Sequence, residues 1–293
     1  MDVALITVGD ELLSGDTVNT NASWLAEQLA ARGVTVPRVL ALPDERATIA
    51  ERVTAYADAF DRVIVTGGIG GTPDDVTVEA VADAFDRDLT VSPVVRADVE
   101  AGLAEIEARV PDRDVDVDVD AEAALPAESR PLLNEAGLAP GCVLESVYVF
   151  PGIPDELMSM FASVADEFTG ERRSRFLYTV EPEANIVPSL EEVMRRYDVT
   201  VGCYPDRAAK HNRLKIVGTD AAAIDDAVRE RFASKRPFDQ LRVDPYHRTT
   251  AERHPDVADA IHDEIRRLMD TSRTLVHGDY SPKNVLVDRA NGT

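Results

Sequence analysis

The chain has 293 residues, 44% of them hydrophobic and 29% charged, with 16 Gly, 17 Pro and 2 Cys. That composition excludes a collagen-like or disordered chain and suits one large domain or two to three small ones. Acidic residues outnumber basic ones 54 to 31, for a formal charge of −23, and with no basic stripe to displace phosphate counter-ions, nucleic acid is not an expected partner.

The basic set is 27 Arg against 4 Lys. An acidic, Lys-poor surface repels itself at ordinary salt and is relieved when concentrated counter-ions screen it. This predicts a halophilic setting and an unfolding midpoint that rises between low and molar KCl; equal stability in both would overturn it. The excess is uneven: residues 236–293 hold 10 acidic and 9 basic residues, net −1, whereas residues 1–235 hold 44 and 22, net −22.

The N-terminal MDVALITVGDELLSG lacks a basic n-region, its apolar run is short for a signal peptide, and no apolar stretch reaches the ~18 residues of a membrane span. A soluble, cytoplasmic protein with no membrane partner is expected. Cys142 and Cys203 lack metal-ligand spacing and read as reduced thiols in apolar surroundings.

Residues 3–8 (VALITV) form an apolar strand ending in Gly9-Asp10, and apolar residues at helical spacing from Thr20 to Arg32 predict a helix stopped by Gly33. The pattern repeats with a strand over 34–42, a helix over 44–60, a strand over 62–66 and a helix over 76–85. Continuous apolar strands alternating with helices predict a parallel sheet covered on both faces. PDRDVDVDVD (111–120) reads either as an edge strand with one wet face or as a solvated loop. A buried strand follows at 146–150, and Pro151-Gly152-Ile153-Pro154 turns into a helix beginning near Asp155.

From Arg175 the order becomes strand (FLYTVEP), helix (188–197), strand (VTVGCYP), strand (RLKIVGT) and helix (220–233), the β-α-β-β-α order of a small ferredoxin-like module with a mostly one-sided sheet. Asn185, Tyr204 and Lys215 are polar points on it. After Pro237 come a helix over 256–269 and two short strands around the loop His277–Asn284.

Three loops follow apolar strands: Gly9-Asp10-Glu11, Thr66-Gly67-Gly68-Ile69-Gly70-Gly71-Thr72-Pro73-Asp74-Asp75, and Pro151-Gly152. In a doubly wound sheet, ligands bind where the carboxyl ends of strands converge. Glycines 67, 68, 70 and 71 leave backbone N–H groups open to an anion, and Thr66 and Thr72 add hydroxyls. Asp74 and Asp75 would repel a bare phosphate, and Mg²⁺ or another divalent cation between them resolves the conflict. The plainer alternative is a tight turn with Asp74 or Asp75 as a helix cap. Asp10 and Glu11 on a second strand end favour the metal reading. It assigns Asp10, Asp74 and Asp75 to metal and catalysis, and no His within residues 1–210 is available as a general base.

The stretches ITVGDELLSGDTVNTNASWLAEQLAARG, VIVTGGIGGTPDDVTVEAVA, LLNEAGLAPG and FPGIPDEL resemble the molybdopterin-binding (molybdenum cofactor biosynthesis) domain. The form they resemble is the archaeal type of the domain found at the N-terminus of competence/damage-inducible protein A. The resemblance covers most of residues 1–165, and residues 175–235 look like the module that follows in that family. It implies a three-layer α/β/α domain, often oligomeric, that binds a nucleotide or pterin diphosphate such as molybdopterin or an adenine dinucleotide. In some members it implies metal-dependent pyrophosphatase activity on ADP-ribose-like or FAD-like molecules.

By the same resemblance, Asp10, Asp74 and Asp75 match the metal-associated positions. Gly67, Gly68, Gly70 and Thr72 match the phosphate loop, beside Gly9 and Thr66, and Pro151 and Gly152 match the last ligand loop. Gly71 departs from the family, where bacterial members commonly carry Pro. A non-catalytic nucleotide- or pterin-binding module is the alternative.

LVHGDYSPKNVLV resembles the catalytic loop of aminoglycoside phosphotransferase-like kinases, in which Asp279 would orient the acceptor hydroxyl and Asn284 hold Mg²⁺, with His277 opening the motif. No nucleotide lobe precedes it, so phosphotransfer is the remote reading and a remnant the nearer one. The expected fold is therefore α/β. It comprises a molybdopterin-binding-like domain over 1–170, a small α+β module over 171–235 and an incomplete kinase-lobe fragment over 236–293.

Overall fold

The computed structural model describes residues 1–109, 117–179, 181–207 and 211–228. The chain divides into two compact units, Met1–Glu171 and Arg172–Thr293. The expected kinase-like segment, with His277, Asp279 and Asn284, lies outside the described residues, as does most of the acidic repeat at 111–116.

The first unit runs β1 (Asp2–Val8), α1 (Asp10–Ser14), α2 (Thr20–Ala31), β2 (Thr35–Leu42), α3 (Arg46–Ala59), β3 (Arg62–Thr66), α4 (Thr77–Ala84), β4 (Leu89–Val91) and α5 (Pro93–Arg109). It continues with α6 (Val119–Glu122), β5 (Ala124–Pro126), β6 (Arg130–Leu132), β7 (Gly141–Leu144), β8 (Val147–Phe150) and α7 (Pro154–Val164). Six strands form one sheet in the order β2-β1-β3-β8-β7-β6. β2, β1, β3 and β8 are parallel, as the apolar runs predict, but β7 runs antiparallel to both its neighbours, β8 and β6. The reason is local: Glu145 (φ 51°) and Ser146 join β7 to β8 in a tight turn, and two residues cannot make the crossover that a parallel pair requires.

Alternation along the strands sends side chains into two cores. Ile6, Val8, Val63, Val65, Val147 and Val149 pack with Ile49 and Val53 of α3 and Ala80 and Val81 of α4. Val3, Leu5, Ile64, Tyr148 and Phe150 pack with Leu25 and Leu29 of α2 and Leu157, Met160 and Phe161 of α7. The result is helix, sheet, helix. The second core is aromatic: Phe161 stacks on Phe168 at 5.5 Å and meets the edge of Trp24 at 5.5 Å.

Several elements differ from expectation. The 93–109 segment forms α5, docked through Val95 and Val99, and β4 pairs with β5 in a separate two-stranded sheet. The described end of the acidic repeat is helical, with Asp118 capping α6 by accepting from Ala121 N at 3.1 Å. Both cysteines are free, and complete burial pushes the Cys142 thiol up to about 12, which keeps it protonated and inert.

The second unit follows the expected order: β9 (Arg173–Thr179), α8 (Glu183–Arg196), β10 (Val199–Asp206), β11 (His211–Gly218) and α9 (Ala221–Ala227). Its antiparallel sheet has the order β10-β11-β9. The helix α8 starts five residues before the expected Pro188, which lies inside it. Proline removes one ladder hydrogen bond, yet burial of Leu190 and Val193 holds the helix. Among the described residues no helix is long and apolar enough to cross a membrane.

Candidate functional site

The strand order places β2 and β3 on opposite sides of β1, so the chain reverses direction across the sheet at the β1/β3 boundary, where a crevice opens at the carboxyl ends of the strands. A cleft of about 370 Å³ occupies that position, lined by Val8, Gly9 and Glu11 after β1, Asp44 after β2, Gly67, Gly68, Asp74 and Asp75 after β3, and Gly152 after β8.

The turn at Gly67-Gly68 forms the floor. Gly67 has φ 97° and its N–H donates to Phe150 O at 3.1 Å; a Cβ there would collide with the carbonyl oxygen of Val8. Gly68 has φ 66°, and a Cβ would lie 2.5 Å from Thr77 Oγ1. Two successive left-handed residues with no room for a side chain leave a bare backbone where three strand ends meet. Thr66 is buried and its hydroxyl donates to Pro151 O at 2.6 Å, while Asn21 Nδ2 donates to Gly152 O at 2.6 Å. These bonds tie the β3 loop and α2 to the last loop. Asn19 caps α2 by accepting from Ala22 N at 3.1 Å and donates through Nδ2 to Thr7 Oγ1 at 2.9 Å, fixing the adjoining wall.

Carboxylates ring this floor. Asp44 accepts from Asp10 N at 2.8 Å. Burial pushes its carboxyl above the ordinary value, and the charges of Asp10, Glu11 and Asp74 push the same way, against the Asp10 N–H bond, which lowers it. Thr72 and then its own backbone N–H hold the Asp74 carboxyl below its ordinary value, although the geometry gives the Thr72 hydroxyl proton to Asp75. Asp75 is bound locally, accepting from Thr72 N at 2.9 Å and Thr72 Oγ1 at 2.5 Å. Neither Asp74 nor Asp75 caps α4, whose N-cap is Val76 with no side-chain bond. Glu122 sits where a Cβ on Gly71 would meet its carboxylate; burial raises its proton affinity, followed by the charges of Asp75 and Asp118.

Of the residues expected from sequence, Gly9, Thr66, Gly67, Gly68, Asp74, Asp75 and Gly152 line the cleft. Asp10 stands behind it, acting on Asp44 through its backbone N–H and its charge. Gly70, Gly71, Thr72 and Pro151 are outside the lining; Thr72 orients Asp75, and Pro151 receives the Thr66 hydroxyl. Sequence reasoning missed Asp44, Asn19 and Asn21. The available signal for Asp44 was its place directly after a strand, in Leu42-Pro43-Asp44, but no glycine marks that loop.

Residues 4–170 match the family described as a probable molybdopterin binding domain. A protein of Archaeoglobus fulgidus is 34% identical over 232 residues, covering 78% of this chain and 96% of its own. A CinA-like protein of Parasynechococcus marenigrum is 31% identical over 242 residues, and the match covers 77% of this chain and 57% of that longer relative. The crystal structure of the CinA protein of Thermoplasma acidophilum, of unknown function, aligns at 30% identity with a TM-score of 0.49 over 58% of this chain and 99% of its own. By the domain match and the archaeal relative, the chain belongs to the molybdopterin-binding-domain family.

Proposed function

We propose that the cleft binds the diphosphate of a nucleotide or pterin and that the chain hydrolyses the pyrophosphate bond with a divalent cation. The observation that carries this reading is the pairing of a bare Gly67-Gly68 backbone with Glu11, Asp44, Asp74 and Asp75 in one cleft. The Gly67 N–H is spent on Phe150 O, so the loop N–H groups from Gly68 onward are the ones suited to the phosphates, and the family description, which names a pterin, supports that ligand class.

Burial raises the Asp44 carboxyl first, and the charges of Asp10, Glu11 and Asp74 that add to the rise are what a cation would relieve. Mg²⁺ is held by one or two carboxylates with phosphate oxygens, so Asp74 with Asp10 or Asp75 would hold it without a complete protein cage, leaving Asp44 beside it. When bound, it supplies charge neutralisation and a more acidic water. Asp44, with its raised proton affinity, is suited to take the proton of the water whose oxygen attacks phosphorus, the P–O bridge bond breaking to leave AMP and the phosphorylated remainder of the substrate, pyrophosphate in the case of ATP.

Among the described residues, no group of three or more His, Cys, Asp or Glu side chains is placed to hold a metal ion. That observation favours the second reading, a module that carries the ligand without cleaving it.

The test is AMP release from ADP-ribose, FAD, NAD and ATP in molar KCl with Mg²⁺ or Co²⁺. Turnover of at least one substrate is expected, and Asp74→Asn should abolish it. Product from none, with ligand still retained in equilibrium dialysis, would establish the carrier instead.

A further inference from the structure

The small sheet of the second unit has two chemically different faces. Ile216 of β11 is buried with Val193 of α8 and with Ile224 and Ala227 of α9, so among the described residues both helices lie on its side. Arg213 and Lys215, its neighbours by alternation, stand on the opposite face. In register, Lys215 lies between Gly202 of β10 and Phe176 of β9, and Arg213 between Tyr204 and Tyr178. Two cations on the central strand are thus flanked by three aromatic rings. The Arg213 guanidinium is 5.4 Å from the Phe176 ring centre and 5.5 Å from that of Tyr204, and Lys215 Nζ is 5.7 Å from Phe176. Gly202 lets Tyr204 lie along the sheet, since a Cβ there would be 2.7 Å from Tyr204 Oη and 2.8 Å from its ring. Tyr204 is 48% exposed.

Charge sets this unit apart. Residues 172–228 hold nine acidic and nine basic residues, net zero, whereas residues 1–171 hold 34 acidic and 10 basic, net −24. The excess that speaks against phosphate contact belongs to the first unit and not to this face.

We propose that this face binds single-stranded nucleic acid, with bases stacked on Phe176, Tyr178 and Tyr204 and phosphates paired with Arg213 and Lys215. Rings and cations side by side on a sheet face that no described helix of this unit covers match what an unpaired strand presents, a π-face and a phosphate in every nucleotide. Phe176 and Tyr204 lie on strands one apart, about 9–10 Å across the sheet, so the two rings take separate bases with the central cations between them. A duplex hides its base faces within its own stack, and an acidic peptide would leave the rings unused.

Fluorescence anisotropy of the full chain with short labelled oligouridylate and oligodeoxythymidylate, in stepped KCl, tests this. Single strands should bind and a matching duplex should not. Tyr204→Ala should weaken binding about tenfold, with Tyr204→Phe restoring it. Arg213→Gln should reduce the salt slope by about 0.7. Both sites are exposed, and unchanged unfolding midpoints would confirm folding. Asp74→Asn in the cleft should leave all of this unaltered, so failure of the pyrophosphatase reading and failure of this one are separable. Absence of binding at every KCl concentration, equal binding by duplex, or indifference to both variants would overturn the proposal. So would light scattering in which Tyr204→Ala converts a dimer to a monomer, which would make the face a contact between copies.

Discussion

Gly67→Ala is expected to lower the unfolding midpoint by roughly 5–15 °C and to eliminate ligand binding in the cleft. The methyl group would enter the carbonyl oxygen of Val8 while the backbone holds φ 97°. Overpacking costs about 1–3 kcal/mol and a left-handed non-glycine residue about 1 more, so the total is about 2–4 kcal/mol. Relief by movement would separate β1 from β3 at the point where both end, with Gly152 already packed against Gly67. Gly15→Ala is the control: Gly15 has φ 82° but nothing within 4 Å of a Cβ, so it should lose only the backbone share. Equal midpoints for the two variants in thermal melts would show that the close approach at Gly67 is not a constraint.

Asp44→Asn should reduce turnover by about a hundredfold or more while leaving the metal-free protein at least as stable at neutral pH. The folded-state proton affinity of Asp44 is raised above the ordinary 3.8 by burial first, opposed by the Asp10 N–H, with the charges of Asp10, Glu11 and Asp74 adding to the rise. A carboxyl shifted upward contributes stability that is fully present below the unfolded value and is lost as pH rises through the folded one. At neutral pH the ionised group is therefore a standing cost, and asparagine removes it while still accepting from Asp10 N. The stability of the variant should fall less than that of the wild type as pH climbs from the acid range towards neutrality. Mg²⁺ should raise the wild-type midpoint more than the variant's. Unchanged turnover would remove Asp44 from the chemistry, and an identical response to Mg²⁺ would remove it from the cation.

Much of the first unit is legible in its residues because the signals are local. VALITV and RVIVT are buried on both faces and read as parallel strands without any partner in view. Trp24, Leu25 and Leu29 recur at helical spacing, and the glycine loop after β3 announces a turn. The antiparallel edge at β7 was not read as such, since it depends on the tight turn at Glu145, a residue whose type does not advertise φ 51°. Helix α5 was not read although Val95, Val99 and Leu103 recur at i, i+4 and i+8, because Val94 and several alanines on its other faces blur the stripe, and its docking rests on Val95 and Val99.

The sequence by itself determined the parallel strands and most of the helices that flank them, that glycines and carboxylates follow strand ends, and that the chain carries a heavy acidic excess. These are properties of spacing and composition, and they act within a few residues. Only the tertiary structure decided that Asp44, 34 residues from Asp10, accepts its N–H, and that of Asp74 and Asp75, which both line the cleft, it is Asp75 that accepts from Thr72. Tertiary structure also decided that Tyr204 and Phe176, on different strands, share the Arg213 guanidinium. Sheet order and register bring such residues together across long loops, and no local pattern encodes the pairing of one strand with another.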